Sequence, residues 1–132
     1  MPTHNTPRLC FIGFGEAGQA IASGLRDTGI EAIAAWDTLF PADEGAGLRQ
    51  AGQAMGARLA NSAADAARGA DIIISAVTAA SSLEAARSVM PHLDGNPIYL
   101  DINSVSPGRK KETETLLGVK ARYVDVAILA PI

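Results

Sequence analysis

This sequence contains little cysteine and few aromatic residues, and it has no excess of positive charge. Its 132 residues contain one cysteine, Cys10, so no disulfide can form within the chain. Cys10 lies in an apolar run, where it suits the role of a small buried side chain. Aromatic residues make up 5% of the chain and the formal net charge is −3. That charge argues against nucleic acid or an anionic membrane surface as a partner.

Long apolar runs and metal-ligand patterns are absent as well. No run approaches the roughly 18 apolar residues that suggest a membrane-spanning helix, and the polar N-terminus has no apolar signal segment. His, Cys, Asp and Glu show no metal-ligand spacing, so we expect no metal site. These absences predict a soluble cytoplasmic protein, and its length allows one domain.

The stretch from Leu9 to Gly18 has the pattern of a strand, a glycine loop and the start of a helix. Four apolar residues predict a buried strand, and Gly13, Gly15 and Gly18 follow at the G-x-G-x-x-G spacing. We expect Gly13 to permit a tight turn, and Gly15 to let a pyrophosphate approach the backbone. Gly18 would let the helix pack closely on the strand. The stretch therefore predicts a dinucleotide site at a helix N-terminus.

An acidic residue, Asp37, ends the second apolar run, about 20 residues beyond the loop as that fingerprint requires. Its carboxylate can accept hydrogen bonds from ribose hydroxyls and would repel a 2′-phosphate, and no arginine follows it directly. NAD is therefore favoured over NADP, although Arg49 or Arg58 folding over the site would weaken that preference. The alternative is that Asp37 only caps a turn.

Apolar runs alternate with helical patterns along the rest of the chain. This alternation predicts an α/β fold: a single Rossmann-type domain with a doubly wound, mostly parallel sheet of about six strands over residues 8–132, after a flexible tail at 1–7. The strands are expected at about 8–13, 32–37, 57–60, 71–77, 97–102 and 123–128. The helices are expected at about 16–28, 48–55, 62–68, 82–90 and 106–117. The last helix is expected to expose a charged face that includes Lys110.

Ligands of such sheets bind at the carboxyl ends of the strands, so the residues that follow each strand are candidates for the site. Val77 and Thr78 follow the fourth strand and could line the cofactor, or could simply end the strand and turn. Asn103 and Ser104 follow the fifth strand and could contact the nicotinamide or a substrate carboxylate, or could only shape the turn before Pro107. The predicted cofactor-binding residues are Gly13, Phe14, Gly15, Glu16, Ala17, Gly18, Asp37, Thr38, Val77, Thr78 and Asn103. Asn103 and Ser104 are the predicted substrate-binding residues. We expect the Glu16 side chain to point to solvent.

The glycine stretch resembles the opening of the β-hydroxyacid dehydrogenases, the group of 3-hydroxyisobutyrate and 6-phosphogluconate dehydrogenases. Asp101-Ile102-Asn103-Ser104-Val105-Ser106-Pro107 resembles their second motif, D-x-S-T-x-x-P, with Asn103 in place of the first serine. Val124-Asp125-Val126-Ala127 resembles the strand that leads to their third motif, but Ile128-Leu129-Ala130-Pro131 departs from the P-V-S-G-G of that motif.

The resemblance implies hydride transfer between NAD(P) and a β-hydroxyacid, with a helical domain that binds substrate and forms a homodimer. The family's catalytic lysine lies beyond the third motif, and Lys110, Lys111 and Lys120 do not match its position. We therefore expect no catalytic residue here, the helical domain to be absent, and this chain alone to be inactive. An S-adenosylmethionine-dependent methyltransferase is an alternative, against which Gly18 and the Asn103-Ser104 pair argue. A non-catalytic nucleotide-binding module is another.

Overall fold

A computed structural model of the protein describes residues 6–128, which form a parallel β-sheet flanked by α-helices. The strands are β1 (Leu9–Ile12), β2 (Ile33–Trp36), β3 (Arg58–Leu59), β4 (Ile72–Ser75), β5 (Ile98–Asp101) and β6 (Arg122–Asp125). The helices are α1 (Glu16–Asp27), α2 (Ala46–Ala54), α3 (Ala63–Ala67), α4 (Ser82–Val89) and α5 (Pro107–Leu117). The prediction of an α/β Rossmann-type fold is confirmed.

The strand order in the sheet is β3-β2-β1-β4-β5-β6, and every neighbouring pair is parallel. β1 is therefore central, with β2 on one side and β4 on the other. The chain reverses its direction of travel across the sheet at β1, which makes the carboxyl ends of β1 and β4 the topological switch point. Loops from both halves of the sheet meet at that edge.

The sheet separates two apolar layers, because successive side chains of a strand point to opposite faces. One layer contains Cys10, Ile73 and Tyr99, which lie side by side in the register of β1, β4 and β5, and all three are fully buried. The other layer contains Phe11 and Ile74. Four of the six strands are buried almost entirely or on alternate residues, as expected of a parallel sheet covered on both faces.

Two helices begin at serines that cap them. The Ser62 hydroxyl accepts a hydrogen bond from the backbone N–H of Asp65 at 3.0 Å, and the Ser106 hydroxyl accepts one from Arg109 at 3.2 Å. Pro107 follows Ser106 at the first helical position, where its missing N–H has no intrahelical acceptor to lose.

Several expected boundaries differ from the observed ones by a few residues. The strand expected at 123–128 ends at Asp125, and the strand expected at 57–60 contains only two residues. The expectation that Lys110 lies on an exposed face is wrong, because its side chain is only 9% exposed and lies against the sheet. Residues 1–5 of the expected tail and residues 129–131 of the third motif lie outside the described residues. Within residues 6–128, none of the helices has both the length and the apolar content needed to cross a membrane.

Candidate functional site

The glycine loop between β1 and α1 leaves an uncovered space at the helix N-terminus. Gly13 has φ of +97°, and a Cβ there would overlap the carbonyl oxygen of Ala76, so only glycine fits. A Cβ on Gly15 would meet nothing within 4 Å, and no side chain caps the helix that Gly15 begins. A Cβ on Gly18 would lie 2.6 Å from the carbonyl oxygen of Gly13, so the helix packs as closely as predicted.

This geometry suits a phosphate group. The first turn of an α-helix carries backbone N–H groups without intrahelical acceptors and the positive end of the helix dipole. In α1 those groups lie beside the open space at Gly15, and no side chain forms a capping hydrogen bond with them. The loop therefore fits the pyrophosphate of a dinucleotide.

Asp37 follows β2 at the same edge of the sheet and is bonded to the glycine loop. Its Oδ2 accepts a hydrogen bond from the backbone N–H of Phe14 at 2.8 Å, and its Oδ1 accepts one from Leu39 at 2.9 Å. The carboxylate thus closes its own turn and also fixes the loop, while each oxygen keeps a second lone pair. The two interpretations of Asp37, turn cap and ribose acceptor, are compatible.

The two arginines that could have covered Asp37 are engaged elsewhere. The Arg49 guanidinium donates to the carbonyl oxygens of Phe40 and, at 2.8 Å, Ala42. Arg58 forms an ion pair with Asp65 at 3.2 Å. The hydrogen bond from the backbone N–H of Asn61, followed by the Arg58 and Arg68 guanidiniums, holds the Asp65 pKa below its ordinary value.

Other predicted cofactor residues occupy different environments at this edge. The Phe14 side chain is fully buried, with its ring 6.2 Å from that of Phe40, so only its backbone reaches the loop surface. Glu16 and Thr38 are exposed, and Ala17 is partly buried. Thr78 is exposed, and its hydroxyl bonds to that of Ser81 at 3.1 Å. Their contact with a cofactor stays a prediction.

Asn103 links the loops that follow β4 and β5. Its amide oxygen accepts a hydrogen bond from the backbone N–H of Val77 at 2.7 Å, and its amide nitrogen donates to the Ser75 hydroxyl at 2.9 Å. Asn103 is 5% exposed, whereas the neighbouring Ser104 is exposed. Of the two predicted substrate-binding residues, only Ser104 is therefore exposed to solvent.

The sequence patterns did not predict a largely buried polar cluster at the ends of β5 and β6. The Asp101 carboxylate is 1% exposed; its Oδ1 accepts from the backbone N–H of Asn103 at 3.0 Å, and its Oδ2 from the Tyr123 hydroxyl at 2.8 Å. The Lys110 ammonium donates to the carbonyl oxygen of Asp101 at 2.9 Å and to the Asp125 carboxylate at 2.5 Å. Burial and the bond to Asp101 both raise the pKa of Tyr123 well above its ordinary value, so its hydroxyl stays a donor.

Comparison with known proteins assigns the chain to a family. Residues 8–105, which include the glycine loop, Asp37 and Asn103, match the family model described as NADP oxidoreductase, coenzyme F420-dependent. The chain belongs to this family. Its match covers about three quarters of the sequence, and it makes the chain an NAD(P)-binding domain of the oxidoreductase type.

Proteins with similar sequence and fold are more than twice as long as this chain. The chain is 33% identical to a conserved hypothetical protein from Sinorhizobium meliloti, with a TM-score of 0.87 over 96% of the chain and 42% of that protein. It is 31% identical to a conserved protein whose structure reveals similarity with 3-hydroxyacid dehydrogenases, with a TM-score of 0.79 over 94% of the chain and 44% of that protein. An uncharacterised 28.5 kDa protein of Methanothermus fervidus is 28% identical over 95% of the chain and 46% of its own length. The chain thus spans less than half of each relative, and the expected likeness to the hydroxyacid dehydrogenases is confirmed.

An imine reductase has been solved with either nicotinamide cofactor. The chain is 27% identical to the enzyme from Myxococcus stipitatus in complex with NADP+, with a TM-score of 0.76 over 94% of the chain and 42% of the enzyme. A variant of that enzyme in complex with NAD+ is 28% identical, with a TM-score of 0.77 over 95% of the chain and 42% of the variant. The family and these structures agree with the expectation of a nicotinamide cofactor, and both forms of it occur among the neighbours.

Proposed function

We propose that this chain is the NAD-binding part of an oxidoreductase that transfers hydride between NAD and a β-hydroxyacid-type substrate. The main support is the open space at Gly15, beside the uncapped N-terminus of α1. Asp37 is hydrogen-bonded to the same loop. When bound there, the cofactor supplies the hydride chemistry. The residues of this chain bind it, orient it and fix the loops around its reactive half.

The preference for NAD over NADP follows from the charge at Asp37. A 2′-phosphate on the adenosine ribose would approach this carboxylate, and repulsion between the two negative charges opposes binding. Arg49 and Arg58 are held by carbonyl oxygens and by Asp65, so neither offers a guanidinium to a phosphate at this point. The ribose hydroxyls of NAD can instead donate to the free lone pairs of Asp37.

The substrate half of the proposal rests on the resemblance of residues 101–107 to the second motif of the β-hydroxyacid dehydrogenases. Ser104 is the exposed polar side chain at the end of β5 and is proposed to meet the substrate carboxylate. By the same resemblance, a helical domain outside this chain would supply the catalytic lysine, the remaining substrate contacts and a homodimer interface. This chain alone is then expected to bind cofactor without turning it over.

Ligand-dependent melting tests the proposal directly. The melting temperature is measured with NAD, NADP, S-adenosylmethionine and no ligand, each at the same millimolar concentration. A ligand at about 100 times its Kd adds about 2.7 kcal/mol to the free energy of unfolding, which raises Tm by several degrees. We expect the largest rise with NAD, a smaller one with NADP and none with S-adenosylmethionine. No rise with either dinucleotide would overturn the proposal, and a rise with S-adenosylmethionine alone would favour the methyltransferase.

The role of Asp37 is tested by two matched variants. Asp37→Ala should weaken NAD binding and bring the affinities for NAD and NADP closer together. Asp27→Ala removes the same charge at the far end of α1, about 16 Å along the helix, and should change neither affinity. Equal NAD and NADP affinities in the unaltered protein, or an unchanged ratio in Asp37→Ala, would remove Asp37 from cofactor selection.

A further inference from the structure

Lys110 stands out because its charged group is buried at the carboxyl edge of the sheet. It lies on the inner face of α5 with Thr113 and Leu117, and its side chain is 9% exposed. The ammonium donates to the last residues of two neighbouring strands: the Asp101 carbonyl oxygen of β5 and the Asp125 carboxylate of β6. It also lies 3.6 Å from Oδ1 of Asp101. One cation thus holds the ends of β5 and β6 together.

The Asp101 carboxylate needs that cation. It is 1% exposed, and burial of an unpaired carboxylate is strongly unfavourable. Among the described residues, only Lys110 places a cationic nitrogen within 4.0 Å of it. Its two oxygens also accept hydrogen bonds from the Tyr123 hydroxyl and from the backbone N–H of Asn103. Lys110 is therefore the positive charge that compensates the buried Asp101 carboxylate, whose Oδ1 in turn accepts from the backbone N–H of Asn103.

The hydrogen bonds continue from Asn103 to the loop after β4. Its backbone N–H is held by Asp101, while its side chain bonds to the backbone N–H of Val77 and to the Ser75 hydroxyl. The path from Lys110 to Val77 thus runs through two buried residues, Asp101 and Asn103. It joins the two loops that lie on the opposite side of β1 from Asp37.

These positions divide a dinucleotide into two halves. A pyrophosphate at Gly15 with its adenosine ribose at Asp37 directs the nicotinamide half over β4 and β5, where Val77 and Asn103 lie. We propose that Lys110 is a positioning residue for the nicotinamide half of the cofactor: it pairs with Asp101 and thereby holds the Asn103 and Val77 loops in place. This inference rests on the proposed function and assigns Lys110 no contact with the cofactor.

Two ligands separate this role from a general effect on stability. NAD+ contacts both halves of the site, whereas ADP lacks the nicotinamide and its ribose and reports on the Gly15 and Asp37 half alone. In Lys110→Met, the affinity for NAD+ should fall at least fivefold, while the affinity for ADP stays within twofold. Lys111→Met, which removes an exposed lysine from the same helix, should leave both affinities unchanged.

Amide hydrogen exchange gives a second readout that needs no ligand. In Lys110→Met, protection should fall at the backbone N–H of Val77 and of Asn103. It should fall less at Gly13, whose N–H bonds to the carbonyl oxygen of Trp36 at 2.8 Å in the other half of the sheet and which reports the loss of global stability. A merely structural role would lower protection equally at all three sites.

A milder variant keeps the test open if Lys110→Met does not fold. Asp125→Asn neutralises the outer end of the same bridge, where the carboxylate is 59% exposed and its removal has a small burial cost. We expect NAD+ affinity to fall about two- to threefold, with ADP affinity unchanged. An equal loss for both ligands, or no loss for either, would overturn the role of Lys110. If the unaltered protein binds neither ligand, the proposed function fails, and exchange at Val77 and Asn103 still decides whether Lys110 holds the loops.

Discussion

The carboxylate of Asp37 accepts a hydrogen bond from the backbone N–H of Phe14, 23 residues earlier in the chain, at 2.8 Å. This bond joins the end of β2 to the glycine loop after β1. A residue that the sequence marks as a ribose acceptor is therefore also part of the loop that would hold the phosphates. Its substitution should affect folding as well as binding.

Asp37→Ala should lower the free energy of unfolding by about 1–3 kcal/mol. The substitution removes the acceptor of the partly buried Phe14 N–H and of the exposed Leu39 N–H, and leaving the Phe14 N–H unpaired costs about this much. Urea denaturation of Asp37→Ala and of Thr38→Ala measures the difference. Thr38 is exposed, so its loss should stay within about 0.5 kcal/mol. Equal losses in the two variants would mean that Asp37 does not support the loop.

Two glycines of the same loop should respond in opposite ways. Gly13→Ala should destabilise the fold by roughly 3 kcal/mol or more, because φ is +97° and the new Cβ would overlap the carbonyl oxygen of Ala76. Gly15→Val should cost far less in stability, because its Cβ meets open space, yet it should abolish NAD binding by filling the phosphate position. Urea denaturation and calorimetric titration with NADH measure the two effects. Normal binding by Gly15→Val would place the phosphates elsewhere.

Lys110 and Asp101 should be strongly coupled in stability. Lys110→Met leaves the buried Asp101 carboxylate without its cation, and breaking a buried pair in this way costs about 3–5 kcal/mol. Asp101→Asn in the same chain removes the orphaned charge, so the double variant should lose less than the sum of the two single losses. A double-mutant cycle by urea denaturation measures this coupling. Additive losses would show that the pair does not interact.

Stability should fall at alkaline pH because several acidic groups are buried in their neutral forms. Burial raises the pKa of the Cys10 thiol above its ordinary value of 9.0, and burial likewise raises the pKa of the Tyr99 hydroxyl. Above about pH 9 the unfolded chain ionises while the folded chain does not, so the unfolded state gains. Below pH 8 these two groups should not change the free energy of unfolding. As the pH rises further, each group should lower the free energy of unfolding by up to about 1.4 kcal/mol per pH unit.

Denaturation at intervals from pH 7 to 10.5 measures this slope, and Cys10→Ala should make it shallower between pH 9 and 10. The native thiol should also resist alkylation, since Cys10 is fully buried and only the thiolate reacts. Rapid labelling of the folded protein at neutral pH would contradict this prediction.

The glycine loop of the site could be predicted because the residues that form it are close together in the sequence. Gly13 and Gly18 stand where a Cβ would overlap a backbone carbonyl oxygen, whereas Gly15 leaves open space for a phosphate, and all three lie within six residues of one another. The strands of the central sheet were also predictable, since buried parallel strands are short, continuous apolar runs. The exact ends of β3 and β6 were not, because strand pairing rather than composition sets them.

The polar cluster around Lys110 could not be predicted by the same means. Arg109, Lys110 and Lys111 form a charged run, and charged runs on helices are usually solvated. The spacing of Lys110, Thr113 and Leu117 does mark one face of a helix, but two of the three are polar and give no apolar stripe. Only the packing of α5 against β5 and β6 shows that Asp101 and Asp125 lie within reach.

The central place of β1 in the sheet has a consequence for biosynthesis. β1 leaves the ribosome before both of its partners, because Leu9 pairs on one side with Ile33 and on the other with Ile72, roughly 60 residues later. At about 5–20 residues per second, the ribosome needs roughly 3–12 s to deliver that second partner. During this time the most apolar strand of the nascent chain has an open edge, which makes it the segment that a chaperone would be expected to shield.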